Sequence, residues 1–511
     1  MSDLPTPPAP AAGGAPDADA ARRQRDKMDQ LLARAPVLSQ GALALASGQA
    51  LDYQVRAAFV PVLAGGVDAE RGDPQAAVFT VAYSARQAPA APPRPVCFAF
   101  NGGPGSASVW LHLGALGPKR VPVQDDGTLA APPYAVVDNP LTWLAFFDLV
   151  FIDPPHTGWS VSAGDAARKR QLSVDGDVQA LAEVIRGWLA ANGRFGASLY
   201  LAGESYGSTR GAALADRLLD QGLALSGLIL VSCAMDLQSL VFAPRNDLPY
   251  ALFLPACAAA AQYHGMLKGG LGASAQAARA AAEDFAQTDY LLALHAGARL
   301  GPRQRSRVEK RLAELTGLAL PVVREHNLRI SDSSFFVELL RPRGLLLGRL
   351  DARASAPMAA ARERQLAFDP GIEAVAIPYT SAMLAYFAAL GLPTTQRYET
   401  LSMDVHRAWN WQRGGAEGEA ERPAEPQGFT STSADLARAM RRNPHMRVLV
   451  ASGRYDLGTP YSATDWSLAQ LDLPAEVLQR ITHRYYDAGH MMYTRVADLT
   501  QLHADLAAWL A

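Results

Sequence analysis

Short apolar runs, each closed by glycine or a polar turn, alternate with longer stretches of helical period through most of the chain. In the region from about 40 to 85, the apolar stretches Val55 to Val60 and Ala77 to Tyr83 flank a turn-rich segment, Gly65 to Pro74. That pattern predicts antiparallel strands at a sheet edge. Further on, the runs Val96 to Phe100, Leu149 to Ile152, Leu199 to Ala202, Leu228 to Val231 and Val448 to Ala451 are apolar almost throughout. Continuous apolar strands separated by helical periods describe βα units, hence a mostly parallel central sheet with helices on both faces. In such sheets chemistry gathers at the carboxyl ends of the strands.

The same pattern divides the chain. Residues 1–35 open on a mix of Pro, Ala, Gly and Asp that cannot offset the entropy of ordering, so this segment is expected to be disordered. Residues 36–235 are expected to form the first part of an α/β core. Strand runs then stop, and from 236 to 430 Ala-rich and Arg-rich stretches such as Ala275 to Phe285 and Arg305 to Leu315 predict a mostly helical cap insertion. A Gly/Glu/Pro-rich stretch from Gly414 to Gly428 reads as an exposed loop leading back to the sheet, and residues 431–511 complete the core.

Bulk composition narrows the function classes. At 511 residues and 49% hydrophobic content, the chain can bury a core larger than a single domain usually holds. Its 47 Lys+Arg stand against 49 Asp+Glu, so no electrostatic footprint points to nucleic acid or an anionic membrane. Three cysteines, Cys97, Cys233 and Cys257, make no disulfide framework and match no zinc or redox spacing, so buried free thiols are expected. The first 34 residues lack the apolar core of a secretory signal, and no later stretch offers 18 uncharged apolar residues for a membrane span. The expectation is therefore a cytoplasmic protein, or a periplasmic or secreted one if a natural precursor begins differently. No metal or cofactor is called for.

Gly203-Glu204-Ser205-Tyr206-Gly207 is the one G-x-S-x-G in the chain. An apolar strand enters it and a helical period, Thr209 to Leu219, leaves it, which is the setting of a nucleophile elbow. Glycines two before and two after the serine let the backbone turn sharply and present the hydroxyl at a strained tip. A serine hydroxyl is a weak nucleophile until a base takes its proton, and the base needs an acid to fix its tautomer. With the order Ser, acid, His expected after such an elbow, Asp456 in the turn after the strand Met446 to Ser452 is the candidate acid, with Asp487 as the competing one. Of ten histidines, His490 lies near the C-terminus in a Gly-preceded loop after a strand, whereas His483 begins that strand and His295, His326 and His503 read as packing or surface residues. Asn101-Gly-Gly-Pro-Gly105 follows the strand Val96 to Phe100, where a backbone N–H can approach a developing alkoxide with no Cβ in the way. The candidate oxyanion donors are the N–H groups of Gly103 and Tyr206.

Taken together, these motifs resemble the serine carboxypeptidase family, peptidase family S10, in a bacterial form without its disulfides. NGGPGSAS at 101–108 with LGP at 116–118, FIDPPHTGWS at 151–160, GESYG at 203–207, SGRYD at 452–456 and AGHMM at 488–492 occur in the family's order. The resemblance covers about 95–235 and 440–495 and implies an α/β-hydrolase fold and release of a C-terminal residue through an acyl-enzyme. It implies that Asn101 and Glu204 hold the terminal carboxylate of a peptide substrate. Two ionised carboxylates repel, so one proton must be shared between them, which predicts activity under acidic conditions. The Trp usual two residues before that Asn is Ala99, the Glu usual before LGP is Ala115, and the usual Cys after NGGPG is Ser106. Half of the carboxylate-recognition set is thus replaced, which leaves an esterase or acyltransferase on the same Ser-His-Asp scaffold as the alternative.

Overall fold

The computed structural model describes residues 18–65, 72–88, 91–359, 365, 368–414 and 428–511. Among these residues nine strands carry the central sheet: β1 (Val37–Ala44), β2 (Ala50–Leu63), β3 (Pro74–Ala85), β4 (Val96–Phe100), β5 (Asp148–Ile152), β6 (Leu199–Glu204), β7 (Leu225–Val231), β8 (Arg447–Gly453) and β9 (Ile481–Tyr486). Their order is β1-β2-β3-β5-β4-β6-β7-β8-β9, with the two-residue strand Val161–Ser162 beside β3 as a tenth. β1, β2, β3 and β5 pair antiparallel in turn; from β5 to β9 every neighbour is parallel. The all-apolar runs lie in the parallel half, where both faces are covered, and every residue of β4 and β5 is buried.

Register brings the motifs to one edge. Phe100 stands opposite Gly203, Glu204 opposite Val231, Val231 opposite Ala451, and Gly453 opposite Tyr486. The residues that follow these strands, Asn101, Ser205, Asp456 and His490, therefore leave the sheet at the same end. This is the mostly parallel sheet of an α/β-hydrolase fold.

Helices cover both faces. On one, α2 (Val174–Ala191), α3 (Tyr206–Asp220) and α9 (Ser433–Arg442) pack with residues such as Phe98, Phe100 and Leu230; on the other, α7 (Pro370–Ala389) and α10 (Val496–Leu510) pack with Phe79, Phe151 and Leu449. A separate core lies among α4 (Leu248–Tyr263), α5 (Ala275–Phe285) and α6 (Pro302–Thr316), whose buried Phe253, Phe285, Leu312 and Leu315 also meet Tyr455 and Leu457. The expected insertion 236–430 thus divides. Its first part has its own core, while α7 buries Tyr379, Met383 and Phe387 in the main core. That helix is long and apolar enough to cross a membrane, although Thr380 and Ser381 break its run of apolar residues. Between α7 and α9 lies α8 (Met403–Ala408), and most of the stretch read as an exposed loop, Gly414 to Gly428, falls outside the described residues.

One expectation is corrected. Of residues 1–35, expected to be disordered, 1–17 lie outside the described residues, but Ala18–Leu32 form a helix, α1. The Pro/Gly-rich composition ends at Pro16 and had masked the amphipathic stretch behind it. Met28 and Leu31 are buried against Ala77 and Phe59, and the Gln24 side chain donates to the Ser162 carbonyl at 3.1 Å. The three cysteines are free and buried.

A buried ion pair ties the helical layer to the edge of the sheet that carries the motifs. Arg210 on α3 donates to Asp177 on α2 at 2.7 Å and to the Asn101 carbonyl at 2.5 Å, and both charged side chains are almost wholly shielded from solvent. Deleting one member leaves an uncompensated buried charge, so Asp177→Ala should lose about 3–5 kcal/mol of stability. A urea midpoint unchanged from wild type would contradict this.

Candidate active site

β6 runs straight into the serine turn, and the chain passes itself closely there. A Cβ on Gly203 would lie 2.2 Å from the Gly207 carbonyl oxygen, one on Gly207 2.9 Å from that of Phe100, and one on Gly102 2.4 Å from the Tyr206 nitrogen. Ser205 itself has φ 60° and ψ −129°, a conformation that costs a non-glycine residue on the order of 1–3 kcal/mol. Its N–H donates to the Val231 carbonyl at 2.9 Å, which holds the turn against β7. Tyr206 is the first residue of α3, so its N–H has no acceptor within the helix, and Gly102 packs directly over it.

The candidate acid and base meet. His490 Nδ1 lies 2.7 Å from Asp456 Oδ2 and 3.2 Å from Thr459 Oγ1. Asp456 also accepts from Gly458 N at 2.7 Å, Thr459 N at 3.0 Å and Thr459 Oγ1 at 2.7 Å. Burial works to raise the Asp456 carboxyl, but the adjacent His490 and the Thr459 donors outweigh it and hold the group below its ordinary value. Burial likewise opposes a charge on His490, and the Asp456 carboxylate outweighs it, leaving the imidazole above 6.5. The competing acid, Asp487, pairs with Arg454 at 2.8 Å instead. His490 N donates to the Leu350 carbonyl at 2.6 Å and its carbonyl accepts from Ser232 Oγ at 2.5 Å, so the loop is clamped from both sides.

Glu204, the residue before the serine, is buried and accepts from Tyr493 Oη at 2.6 Å. Burial pushes its carboxyl from 4.5 to about 7, against the opposing pull of His490, Tyr493 and Asn101. Asn101 is held by its own oxygens: Oδ1 accepts from Leu111 N at 3.1 Å and the carbonyl from Arg210. Among the described residues its buried Nδ2 completes no hydrogen bond, although it lies near enough to Glu204 to favour the charged form.

These groups open on one cavity of about 380 Å³, lined by Asn101, Gly102, Gly103, Glu204, Ser205, Thr459 and His490. Of the residues singled out from sequence, Ser205, His490, Asn101, Glu204 and Gly103 share this cavity, and Asp456 reaches it through His490. Thr459, Tyr493 and the cap residues Arg349, Leu401, Met403 and His406 were not foreseen. Thr459 and Tyr493 each stand three residues beyond a candidate, Asp456 or His490, so the loops themselves were the available signal. The cap residues had none. Among the described residues no group of three or more His, Cys, Asp or Glu could hold a metal ion.

Residues 63–240 match the family model described as serine carboxypeptidase, the segment that carries the first three motifs. No curated protein matches the sequence. Among solved structures the chain is similar to Kex1Δp, a prohormone-processing carboxypeptidase from Saccharomyces cerevisiae, at 14% identity over 88% of this chain and 91% of that one, with a TM-score of 0.53. Weaker likenesses are to a proline iminopeptidase from Mycobacterium smegmatis (14% identity, 89% and 97% covered, TM-score 0.36) and an acetylester hydrolase from Corynebacterium glutamicum (11%, 92% and 95%, 0.34). At such identity the first likeness shows the fold.

The raised Glu204 pKa makes a prediction about stability. The folded state holds this proton more tightly than the unfolded chain, so the group's favourable contribution is complete below pH 4.5 and is lost as pH rises through about 7. Glu204→Gln, neutral throughout, should lose less stability over that range, the gap from wild type growing to roughly 3 kcal/mol above pH 7. Urea unfolding at a series of pH values checks this; parallel curves for the two proteins would mean that ionising Glu204 costs nothing.

Proposed function

We propose that this chain is a serine-type carboxypeptidase that hydrolyses the C-terminal peptide bond of a peptide through an acyl-enzyme intermediate. The observation that carries the reading is the pairing of a buried carboxyl with a pKa of about 7, Glu204, and an unsatisfied amide, Asn101 Nδ2, in the cavity that Ser205 and His490 line. A carboxylic acid that keeps its proton can donate to a carboxylate, and an amide N–H supplies a second donor. Together they suit a free C-terminus.

With Nδ1 of His490 engaged by Asp456 and Thr459, Nε2 is the nitrogen left for the Ser205 hydroxyl. His490 takes the hydroxyl proton as Ser205 Oγ attacks the scissile carbonyl, then gives it to the departing amine of the C-terminal residue. A water, deprotonated by the same nitrogen, attacks the acyl-enzyme ester and releases the shortened peptide and Ser205. Asp456, ionised and rich in donors, fixes the tautomer and balances the imidazolium. The N–H groups of Gly103 and Tyr206 are the oxyanion donors in this reading, brought together by the close passage of Gly102 over the serine turn.

The esterase or acyltransferase alternative keeps one specific support. Ala99 and Ala115, at positions where the family usually has Trp and Glu, are wholly buried, so neither side chain contributes to recognition of a carboxylate.

A pH series on N-blocked dipeptides and their C-terminal amides separates the two. Amidation should lower kcat/KM roughly 10- to 100-fold, and the preference for the free acid should fade as pH rises through about 7, where Glu204 loses its proton. Ser205→Ala should abolish labelling by a serine-directed phosphonate without lowering the melting temperature. Equal rates on acids and amides would favour the esterase reading, and labelling that survives Ser205→Ala would place the nucleophile elsewhere.

A further inference from the structure

Among the described residues that line the cavity, Glu204 is the one Asp or Glu and Arg349 the one Lys or Arg. Its backbone is unusually well anchored. Arg349 N donates to Asp369 Oδ1 at 2.9 Å and Leu350 N to Asp369 Oδ2 at 3.3 Å. The Arg349 carbonyl accepts from Leu457 N at 3.0 Å, next to the candidate acid, and the Leu350 carbonyl from His490 N at 2.6 Å. Gly348, just before it, has no room for a side chain: a Cβ there would lie 2.4 Å from the Asp351 carbonyl oxygen. The arginine is therefore carried on a segment fastened to the loops that bear both His490 and Asp456.

The guanidinium, by contrast, makes no salt bridge and donates no hydrogen bond among the described residues. Four residues on, Arg353 is gripped by Asp351 at 2.6 and 2.9 Å. Asp369 and Asp332 feel the Arg349 charge, but the Asp369 oxygens are taken by backbone N–H groups and Asp332 accepts from Ser333 N. The guanidinium carbon would lie 3.7 Å from a Cβ on Gly458, two residues past Asp456, and its charge works against protonation of both His490 and His406. The side chain is exposed while its backbone is held, so the guanidinium stands at the mouth of the cavity, within reach of a substrate anion. A planar fork of N–H donors matches a carboxylate two bonds at a time.

We propose that Arg349 is a specificity-determining residue that anchors a substrate carboxylate beside the scissile bond. The inference rests on the carboxypeptidase reading, in which Asn101 and Glu204 already hold the terminal carboxylate, so the group left for Arg349 is the side chain of a flanking Asp or Glu. The same chemistry could be supplied by the terminal carboxylate itself, and two rate ratios tell these sources apart.

In the full-length protein, kcat/KM is measured for N-blocked dipeptides with Glu or Gln at each of the two positions, and for free acids against amides, in wild type, Arg349→Gln and Arg349→Lys. The Glu/Gln ratio should be roughly 10 or more at one position in wild type, near 1 in Arg349→Gln and intermediate in Arg349→Lys, with melting temperatures unchanged. A collapse of the acid/amide ratio instead would assign Arg349 to the terminal carboxylate. Both ratios unchanged in Arg349→Gln would overturn the proposal. If wild type hydrolyses none of these dipeptides, the carboxypeptidase reading is what fails. The ratio of p-nitrophenyl hemiglutarate to p-nitrophenyl butyrate hydrolysis then decides for Arg349: a fall in Arg349→Gln supports the anchor, and no change overturns it.

Discussion

Around Ser205 the backbone passes itself at distances no side chain could share, and the arrangement of the candidate site follows from that closeness. Glycines at 102, 203 and 207 let the β4 loop, the end of β6 and the start of α3 occupy a volume in which any Cβ would meet backbone within 3 Å. The serine is left with a positive φ, a strained state sustained because β6 on one side, α3 on the other and the Val231 carbonyl behind it over-determine the turn. Strain of this kind is useful where it fixes direction. A serine on a regular helix would lie against its neighbours, whereas here it stands at the tip between strand and helix, facing the cavity. The Arg210–Asp177 pair reinforces the same junction by reaching from the helices to the Asn101 carbonyl.

The cap is not a lid resting on a finished site. Ser402 N donates to the Gly105 carbonyl at 2.8 Å and Ala107 N to that of Thr400 at 3.0 Å, so the NGGPG loop is hydrogen-bonded to the insertion on one side. On the other, Leu350 accepts from His490 N. Asp153, from the FIDPP segment, adds a tie on the first side by accepting from Ser108 N and Ser108 Oγ with one oxygen and from Tyr398 Oη at 2.6 Å with the other. The loops that carry the candidate residues and the loops that shape the cavity are therefore tied together by hydrogen bonds.

How much of this was legible in the chain depends on whether a residue's placement is set locally. Strands β4 to β8 were readable because burial on both faces demands uninterrupted apolar runs, and the Ser205 turn because close packing demands glycine at fixed offsets. His490 and Asp456 were readable from chain order and from the strands before them. Arg349, Met403 and His406 were not, since their position comes from how a helical insertion folds back over the sheet, a long-range matter with no periodic trace. Helix α1 was missed for a different reason: averaging composition over the first 35 residues let the Pro/Gly-rich start outweigh the amphipathic spacing that buries Met28 and Leu31. Likewise α7, grouped with the cap by its place in the chain, proves to pack in the main core because its apolar residues, Tyr379, Met383 and Phe387 among them, match that face.

Two carboxyl groups near His490 show how one site can hold opposite protonation states at the same depth. Asp456 and Glu204 are both fully enclosed, and burial alone would keep a proton on each. What separates them is the number of donors. Asp456 gathers Gly458 N, Thr459 N, Thr459 Oγ1 and the adjacent imidazole, enough to stabilise the anion against desolvation, while Glu204 has the Tyr493 hydroxyl and a more distant Asn101. The first can remain charged and orient a base; the second retains a proton up to about pH 7. Pairs of acids driven apart in this way divide the work of a hydrolytic site. Here His490 and the Thr459 donors hold Asp456 as the anion, while the single Tyr493 hydroxyl, which also favours an anion, does not offset the burial of Glu204.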